Sequence, residues 1–147
     1  MVTTITVGQV LRAKGHEYVF IQPSATVYEA LELMAEKNVG ALPVMDEGRL
    51  VGMFSERDYA RKVILKGRSS KSTTVRDLMS SEPITIGPDR SVHECMLVMT
   101  NNHIRHLPVM VGSTVVGIVS IGDAVNSIIS DQESMIQDLE SYITLGY

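Results

Sequence analysis

Leu42-Pro43-Val44-Met45 recurs 65 residues further along the chain as Leu107-Pro108-Val109-Met110. The same spacing produces 13 identities over the 38 positions from 21 to 58, and no gap is needed to obtain them. Average composition leads one to expect about two or three identities by chance over such a span. The chain therefore contains an internal duplication, and both copies are expected to fold in the same way.

Each copy has the same predicted order of elements. Thr26 and Ser91 are each followed three residues later by a glutamate, which is the capping box of a helix start. An apolar face of helical period follows in both copies: Val27, Ala30, Leu31, Met34 and Ala35 in the first, and Val92, Cys95, Met96 and Met99 in the second. The predicted strands are 18–21, 41–45 and 50–54, with 84–86, 106–110 and 115–119 in the second copy. A second helix begins near Ser55 or Ser120, so the fold class is α+β with tandem β-α-β-β-α repeats.

The duplication divides the chain into four segments. We assign the first repeat to 7–66, a polar linker to 67–74 and the second repeat to 75–130. Upstream the spacing changes to 68, between Thr6-Val7 and Thr74-Val75, which implies a short extra loop near 14–17. Segment 131–147 has no counterpart in the first repeat and is predicted to form one more amphipathic helix. Its apolar stripe consists of Met135, Ile136, Leu139, Tyr142 and Ile143.

Composition excludes several classes of protein. A chain of 147 residues with one cysteine forms no internal disulfide and is long enough to bury a core without one. A net charge of −4 argues against nucleic-acid binding, which needs a basic surface. No apolar run approaches the ~18 residues of a membrane span. Together with the absence of a recognisable signal peptide, this predicts a cytoplasmic protein without a nucleic-acid or membrane partner.

The segment with the clearest chemistry is Gly52-Met53-Phe54-Ser55-Glu56-Arg57-Asp58, repeated as Gly117-Ile118-Val119-Ser120-Ile121-Gly122-Asp123. In each, a strand delivers a serine to a helix start, where free backbone amides favour an anion such as phosphate. The aspartate lies one turn further on, and a carboxylate so placed can accept hydrogen bonds from ribose hydroxyls. The alternative is that serine and aspartate only cap the helix, because Ser-x-x-Asp is close to a capping box.

Basic residues cluster after the first of these segments. Arg57 and Arg61 are one helical turn apart, and they are candidates for neutralising a di- or triphosphate. Arg68 and Lys71 in the linker are candidates for closing over the same phosphates. The second repeat has Gly122 and Asn126 in place of the two arginines, so the two sites are expected to differ in charge. The alternative, strongest for the neighbouring lysines, is an ordinary solvated helix face.

The remaining reactive side chains do not suggest catalysis. His93, His103 and His106 lack the cysteine or carboxylate partners that would complete a zinc site, so no metal is expected. Cys95 falls on the inward face of its helix and is interpreted as a core residue rather than a nucleophile. No hydrolytic triad, P-loop or dinucleotide-binding glycine run is present.

The whole pattern resembles the CBS domain, the family named for cystathionine β-synthase. The resemblance rests on the Leu-Pro-Val-Met strands, the Gly-x-x-Ser-x-x-Asp segments and Thr-Val-x-x-Leu-Met at 74–79, and it covers 7–66 and 75–130. It implies one pseudo-twofold Bateman module, with adenosine compounds such as AMP, ADP, ATP, NAD(H) or S-adenosylmethionine bound between the repeats. Ser55 and Asp58 would serve one site, and Ser120 and Asp123 the other. The residues expected to flank the ligand are Val39, Gly40, Ala41, Ile104, Arg105 and His106.

The sequence thus predicts a regulatory module rather than an enzyme. It would bind AMP, ATP or NAD(H) without any catalytic cofactor, and would act through a homodimer or an effector protein that the sequence does not identify. Two alternatives are a small nucleotide-using enzyme and a dimerising scaffold without a ligand.

Overall fold

The computed structural model describes residues 4–144. The helices are α1 (Val7–Lys14), α2 (Val27–Lys37), α3 (Glu56–Tyr59), α4 (Val75–Leu78), α5 (Val92–Asn102) and α6 (Ile121–Thr144), and a π-helical segment (Ala60–Ile64) continues α3. The strands are β1 (Ala41–Asp46), β2 (Arg49–Ser55), β3 (His106–Val111) and β4 (Thr114–Ser120). The mixed α+β class is confirmed, with one antiparallel hairpin in each half.

The two hairpins have the same register. Ala41 pairs with Ser55 in the β1–β2 hairpin, and His106 pairs with Ser120 in the β3–β4 hairpin. Each ladder also shifts at the same place, after the valine of the Leu-Pro-Val-Met segment. In the first hairpin Glu47 and Gly48 both adopt left-handed backbone, as a tight two-residue turn requires. The predicted strands 41–45, 50–54, 106–110 and 115–119 are therefore confirmed, each extended by a residue at one end or both.

The two predicted leading strands, 18–21 and 84–86, are wrong as strands. Each is a single parallel bridge, from Ile21 to Val44 and from Ile86 to Val109. The Ile21 amide donates to Pro43 and the Ile21 carbonyl accepts from Met45, both within 3.1 Å. Two residues later a proline leads the chain into the turn before the helix, so pairing stops after one residue.

The helix starts follow the predicted caps. Thr26 accepts from the Glu29 amide at 3.1 Å, and Ser91 accepts from the Glu94 amide at 3.0 Å. The apolar faces of α2 and α5 are buried at Val27, Ala30 and Met34 and at Val92, Cys95 and Met99. Ala35, which the period placed on the same face, is exposed instead, and Leu31 and Met96 are only partly buried.

The two halves exchange the short helices that precede them. Val7, Val10 and Leu11 of α1 pack in the core of the second half. Val75 and Leu78 of α4 pack in the core of the first. The Val7 amide donates to the Arg90 carbonyl at 2.8 Å, and the Val75 amide donates to the Ala25 carbonyl at 2.9 Å. Each exchange is therefore fixed by backbone bonds as well as by apolar burial.

Two glycines allow this exchange. A Cβ atom at Gly117 would lie 2.9 Å from the Leu11 side chain, and one at Gly52 would lie 2.6 Å from the Met79 sulfur and 2.8 Å from the Ser80 carbonyl oxygen. The space beside Gly117 is filled by α1, and the space beside Gly52 is filled by the two residues that follow α4.

Segment 131–144 does not form a helix of its own. It continues α6, which runs without a break for 24 residues, because no glycine or proline lies between Gly122 and Thr144. Residues 145–147 and the side chain of Tyr142, which the predicted stripe included, lie outside the part of the chain that is described.

Candidate functional site

The first site is built at the junction of β2 and α3. The Ser55 hydroxyl accepts from the Asp58 amide at 3.2 Å, and the Asp58 carboxylate accepts from the Ser55 amide at 3.0 Å. The same carboxylate pairs with Lys62 at 3.3 Å, and Lys62 also donates to the Leu78 carbonyl of the exchanged helix. Ser55 and Asp58 thus form a complete capping box.

The second site repeats this arrangement at the junction of β4 and α6. Asp123 accepts from the Ser120 amide at 2.9 Å, and the Ser120 hydroxyl accepts from the Asp123 amide at 3.1 Å. Here the additional cation does not come from the same helix as the aspartate. Lys14, the last residue of α1, donates to Asp123 at 2.5 Å and to the Ile118 carbonyl at 2.7 Å. The exchanged helix therefore contributes a side chain directly to this carboxylate.

These contacts change the acidity of the second site. Burial alone would raise the pKa of Asp123, but the hydrogen bonds from Lys14 and Ser120 outweigh it and hold that pKa below its ordinary value. Burial, and next the charge of Lys14, lowers the pKa of His106, against a smaller opposing effect of Asp123. Asp123 is consequently a carboxylate and His106 is neutral near pH 7.

The predicted flanking residues are brought to the same two junctions. The Gly40 carbonyl accepts from the Glu56 amide at 3.1 Å, and the Arg105 carbonyl accepts from the Ile121 amide at 2.8 Å. Gly40 and His106 also face each other across the halves, since a Cβ at Gly40 would lie 3.3 Å from the imidazole. The flanking residues Val39, Ala41 and Ile104 are buried or half-buried beside them, whereas the Arg105 side chain is exposed.

A cleft of about 410 Å³ opens between the halves beside Arg57. The Arg57 guanidinium crosses from α3 to donate to the carbonyl of His103, just past the end of α5. The remaining lining residues all belong to the second half: Met99, Thr100, His103, Ile104, Arg105 and Ile121. Ser55, Asp58, Ser120 and Asp123 are not among them. A second hollow, of about 460 Å³, lies along α5 and contains none of the predicted site residues.

The other predicted cations are not gathered at the first site. Lys71 lies over the ring of Tyr28, 5.0 Å from its centroid, in the first turn of α2. Val39 and Gly40 follow the opposite end of that 11-residue helix, about 16 Å away at 1.5 Å per residue. Arg61 and Arg68 are exposed to solvent. Of the basic residues expected around the first site, only Arg57 reaches across to the other half.

Lys14 is the residue that sequence reasoning missed. Lys14 pairs with Asp123 as Lys62 pairs with Asp58, so the second site has a cation that the comparison of the two helix starts left out. The change of spacing near 14–17 marked the segment as unusual. It did not indicate where the segment packs, since that depends on the exchange of α1 between the halves.

We next consider the cysteine, possible metal ligands and possible membrane-spanning helices. Burial, and next the charge of Asp123, raises the pKa of Cys95 to about 11, so this thiol is unreactive at neutral pH. Across residues 4–144, no group of three or more histidine, cysteine or acidic side chains is arranged to hold a metal ion. Within the same residues, no helix has both the length and the apolar content needed to cross a bilayer.

Comparison with known proteins identifies the family. The sequence model of the CBS domain matches residues 7–65 and 75–130. The chain belongs to the CBS-domain family. It is 41% identical over 151 residues to a protein of Arabidopsis thaliana named "CBS domain-containing protein CBSX3, mitochondrial", covering 97% of this chain and 73% of that one.

Solved structures agree with this assignment. A CBS-domain protein from Burkholderia ambifaria is 45% identical and superposes with a TM-score of 0.83, over 86% of this chain and 96% of that one. The hexameric CBS-CP12 protein of bloom-forming cyanobacteria is 28% identical, with a TM-score of 0.74 over 83% of this chain and 67% of that one. The chain is thus a tandem CBS pair, a module that is commonly regulatory in function.

Proposed function

We propose that this CBS pair is a sensor of adenosine nucleotides of the AMP, ATP or NAD(H) type. Nucleotide binding changes the packing of the two halves, and the change is read by a second copy of the chain or by an effector protein. The module catalyses no reaction and acts in a reducing, cytoplasmic compartment. CBS domains in general bind adenosine-containing ligands, which supports this choice of ligand.

One observation carries the proposal. A serine and an aspartate lie at the same strand-to-helix junction in both halves, with matching bonds between them. The residue that opens the paired strand, Ala41 or His106, lies directly opposite that serine in the antiparallel register. A ligand at either junction therefore touches both strands of a hairpin, and through Gly40 and His106 it reaches the other half.

The residues at each junction suit a nucleotide. Asp58 and Asp123 would accept hydrogen bonds from the ribose hydroxyls, for which an acidic side chain is the usual partner. Lys62 at the first junction and Lys14 at the second pair with these carboxylates. On ligand binding each lysine would leave its carboxylate and meet a phosphate instead. Arg57, beside the cleft between the halves, would meet the additional phosphate of ATP or NAD(H).

This exchange of partners supplies the signal. When a ligand takes the carboxylate of Asp123, Lys14 loses its anchor, and α1 is held to the second half less tightly. The ligand thereby favours one packing of the halves over another, which is the thermodynamic requirement for regulation.

Isothermal titration calorimetry with AMP, ATP and NADH tests the proposal. We expect micromolar binding, with Asp58→Ala and Asp123→Ala each losing one site, because leaving the ribose hydroxyls without their acceptor costs ~1–3 kcal/mol. Each variant should also lose at least ~1 kcal/mol of stability without ligand, since each aspartate completes a capping box. If both variants bind like the parent, the aspartates serve as caps alone, and a dimerising scaffold becomes the better interpretation.

A further inference from the structure

A hollow of about 460 Å³ lies along α5 on the surface of the second half. Ile86, Val98 and Met110 form its apolar floor, and Arg90 and Glu94 are the charged residues at its rim. The hollow is also lined by Thr85, Gly87 and Gly112. None of these residues belongs to a Ser-Asp junction, so the hollow is separate from the proposed nucleotide sites.

The duplication shows what opens this hollow. Four of its eight lining residues are smaller than the residues at the equivalent positions of the first half, 65 residues earlier. The four replacements are Thr85 for Phe20, Gly87 for Gln22, Val98 for Leu33 and Gly112 for Glu47. Ile86 and Met110 of the floor are identical to their first-half equivalents. The second half therefore keeps an apolar floor and has less side-chain volume beside it.

The rim of the hollow differs from the first half in charge. Arg90 stands where the first half has Ala25, and its guanidinium donates to the Glu94 carboxylate at 3.1 Å. In the first half the equivalent glutamate, Glu29, accepts instead from the hydroxyl of its own cap, Thr26, at 3.1 Å. The second half thus presents a cation and an anion side by side at the edge of an apolar floor.

Backbone bonds hold the wall of the hollow in place. The Pro88 carbonyl accepts from the Gly8 amide at 2.8 Å, and the Arg90 carbonyl accepts from the Val7 amide at 2.8 Å. Both amides belong to the first turn of α1, which is anchored in the core of the second half. A ligand therefore enters a hollow that is already formed, which lowers the cost of binding.

We propose that this hollow binds a free α-amino acid with an apolar side chain of the size of leucine or methionine. The α-carboxylate of the ligand accepts from the Arg90 guanidinium, and its α-ammonium group donates to the Glu94 carboxylate. The ligand side chain lies on Ile86, Val98 and Met110, where its apolar surface is removed from water. A volume of about 460 Å³ is within the range of small-molecule sites.

The charge pair selects a zwitterion over an ion of one sign. A lone carboxylate at Arg90 would lie beside the negative charge of Glu94, and a lone amine at Glu94 would lie beside the positive charge of Arg90, so each would meet a like charge. A zwitterion gives both side chains a partner of opposite sign, and a carboxylate can bind a guanidinium through two bonds. The Arg90 and Glu94 side chains are 63% and 49% exposed, so water weakens both contacts and binding in the millimolar range is expected.

Methyl NMR titration of the whole chain with L-leucine tests the proposal, because both halves carry reporter methyl groups. The resonances of the floor residues Ile86, Val98 and Met110 should shift, and those of the equivalent residues Ile21, Leu33 and Met45 should not. The absence of any shift throughout the millimolar range would overturn the proposal, and so would equal shifts in both halves. The titration needs no nucleotide, so its outcome is independent of the proposed function.

Two analogues of leucine test the choice of a zwitterion. Isocaproate is leucine without its amino group, and isoamylamine is leucine without its carboxylate. Each loses one charge-assisted contact and should bind about tenfold more weakly than leucine. Glycine, which has no side chain to lie on the floor, should also bind more weakly. Isocaproate that binds as tightly as leucine would mean a site for anions and would overturn the assignment of an amino acid.

Two variants and a matched control locate the ligand. Arg90→Ala should raise the dissociation constant of leucine about tenfold. Thr85→Phe with Val98→Leu fills the hollow with the side chains that the first half has at these positions, and it should abolish the shifts of the remaining floor methyl groups. Arg76→Ala is the matched control, because Arg76 is 61% exposed and pairs with an aspartate in the first half. Folded variants, verified by circular dichroism, that bind leucine as tightly as the parent would overturn the site.

Discussion

The contact between Lys14 and Asp123 gives a quantitative prediction about how α1 is held in place. Lys14→Met removes the ammonium group but keeps an unbranched side chain of similar length. The lost contacts are the 2.5 Å bond to Asp123 and the 2.7 Å bond to the Ile118 carbonyl. We expect the free energy of unfolding to fall, and α1 to be the first segment to detach.

The size of the effect lies between two limits. A solvent-exposed ion pair contributes about 0–1 kcal/mol, whereas a hydrogen bond to a charged group contributes about 1.5–3 kcal/mol. The Lys14 and Asp123 side chains are 36% and 22% exposed, so screening by water removes part of the larger value. We therefore expect a loss of ~1–2 kcal/mol for Lys14→Met, between those two limits.

Urea denaturation of a double-mutant cycle measures this directly. The cycle consists of the parent, Lys14→Met, Asp123→Asn and the double variant, and asparagine keeps an acceptor for the helix cap. A coupling of ~1 kcal/mol is expected, and a coupling below ~0.3 kcal/mol would mean that the two residues act independently. Lys37→Met is the matched control, because Lys37 is likewise in the last turn of its helix.

The free energy of unfolding of these variants should also depend on pH in a characteristic way. The folded pKa of Asp123 is lowered from an ordinary value of 3.8, so its stabilising effect is complete above pH 3.8 and is lost as the pH falls below that value. The loss should be smaller in Lys14→Met, since the lysine is a principal cause of the shift. Equal pH dependence in the parent and the variant would refute the reasoning.

Three further predictions concern other parts of the junctions. Gly52→Ala should lower the melting temperature more than Gly117→Ala, because its new methyl group meets the Ser80 carbonyl at 2.8 Å while the other meets only a movable leucine side chain; calorimetric melting of both variants decides this. Arg57→Ala should weaken ATP binding more than AMP binding and reduce its salt sensitivity, and equal losses for both nucleotides at two salt concentrations would instead assign Arg57 to holding the halves together. The folded pKa of His106 is below 6.5, so the midpoint of its NMR titration should fall below that value. The free energy of unfolding should decrease as the pH drops below 6.5, because the unfolded chain takes up the proton more readily. A midpoint at or above 6.5 would contradict the described burial.

Local patterns were the most reliable guide to the fold. The hairpins, the capping serines and threonines and the buried residues of α2 and α5 all follow from short-range rules, since each depends on residues within one turn or one strand pair. The prediction of strands at 18–21 and 84–86 was wrong because a proline two residues after each bridge leads the chain away into the turn before the helix. The prediction of a separate helix from residue 131 was wrong because no residue there interrupts α6. A helix can continue past the end of a repeat without a break.

The candidate site divides in the same way. The sequence located the two Ser-Asp pairs and the segments 39–41 and 104–106 correctly on their junctions, because a duplicated strand-turn-helix pattern fixes them locally. It misplaced Lys71, whose linker folds back onto the start of α2. It also omitted Lys14, which is 109 residues away from Asp123.

The sequence by itself determined the duplication, the hairpins and capped helices of each repeat, and the serine and aspartate of each junction. These follow from side-chain period, helix capping and turn preference, which act over a few residues. Only the tertiary structure decided that α1 and α4 each pack in the other half, and that two glycines leave room for this packing. It also decided that Lys14 pairs with Asp123 at the second junction. The two repeats offer each short helix two similar apolar surfaces, and the choice between them depends on packing across the whole module, which no local pattern records.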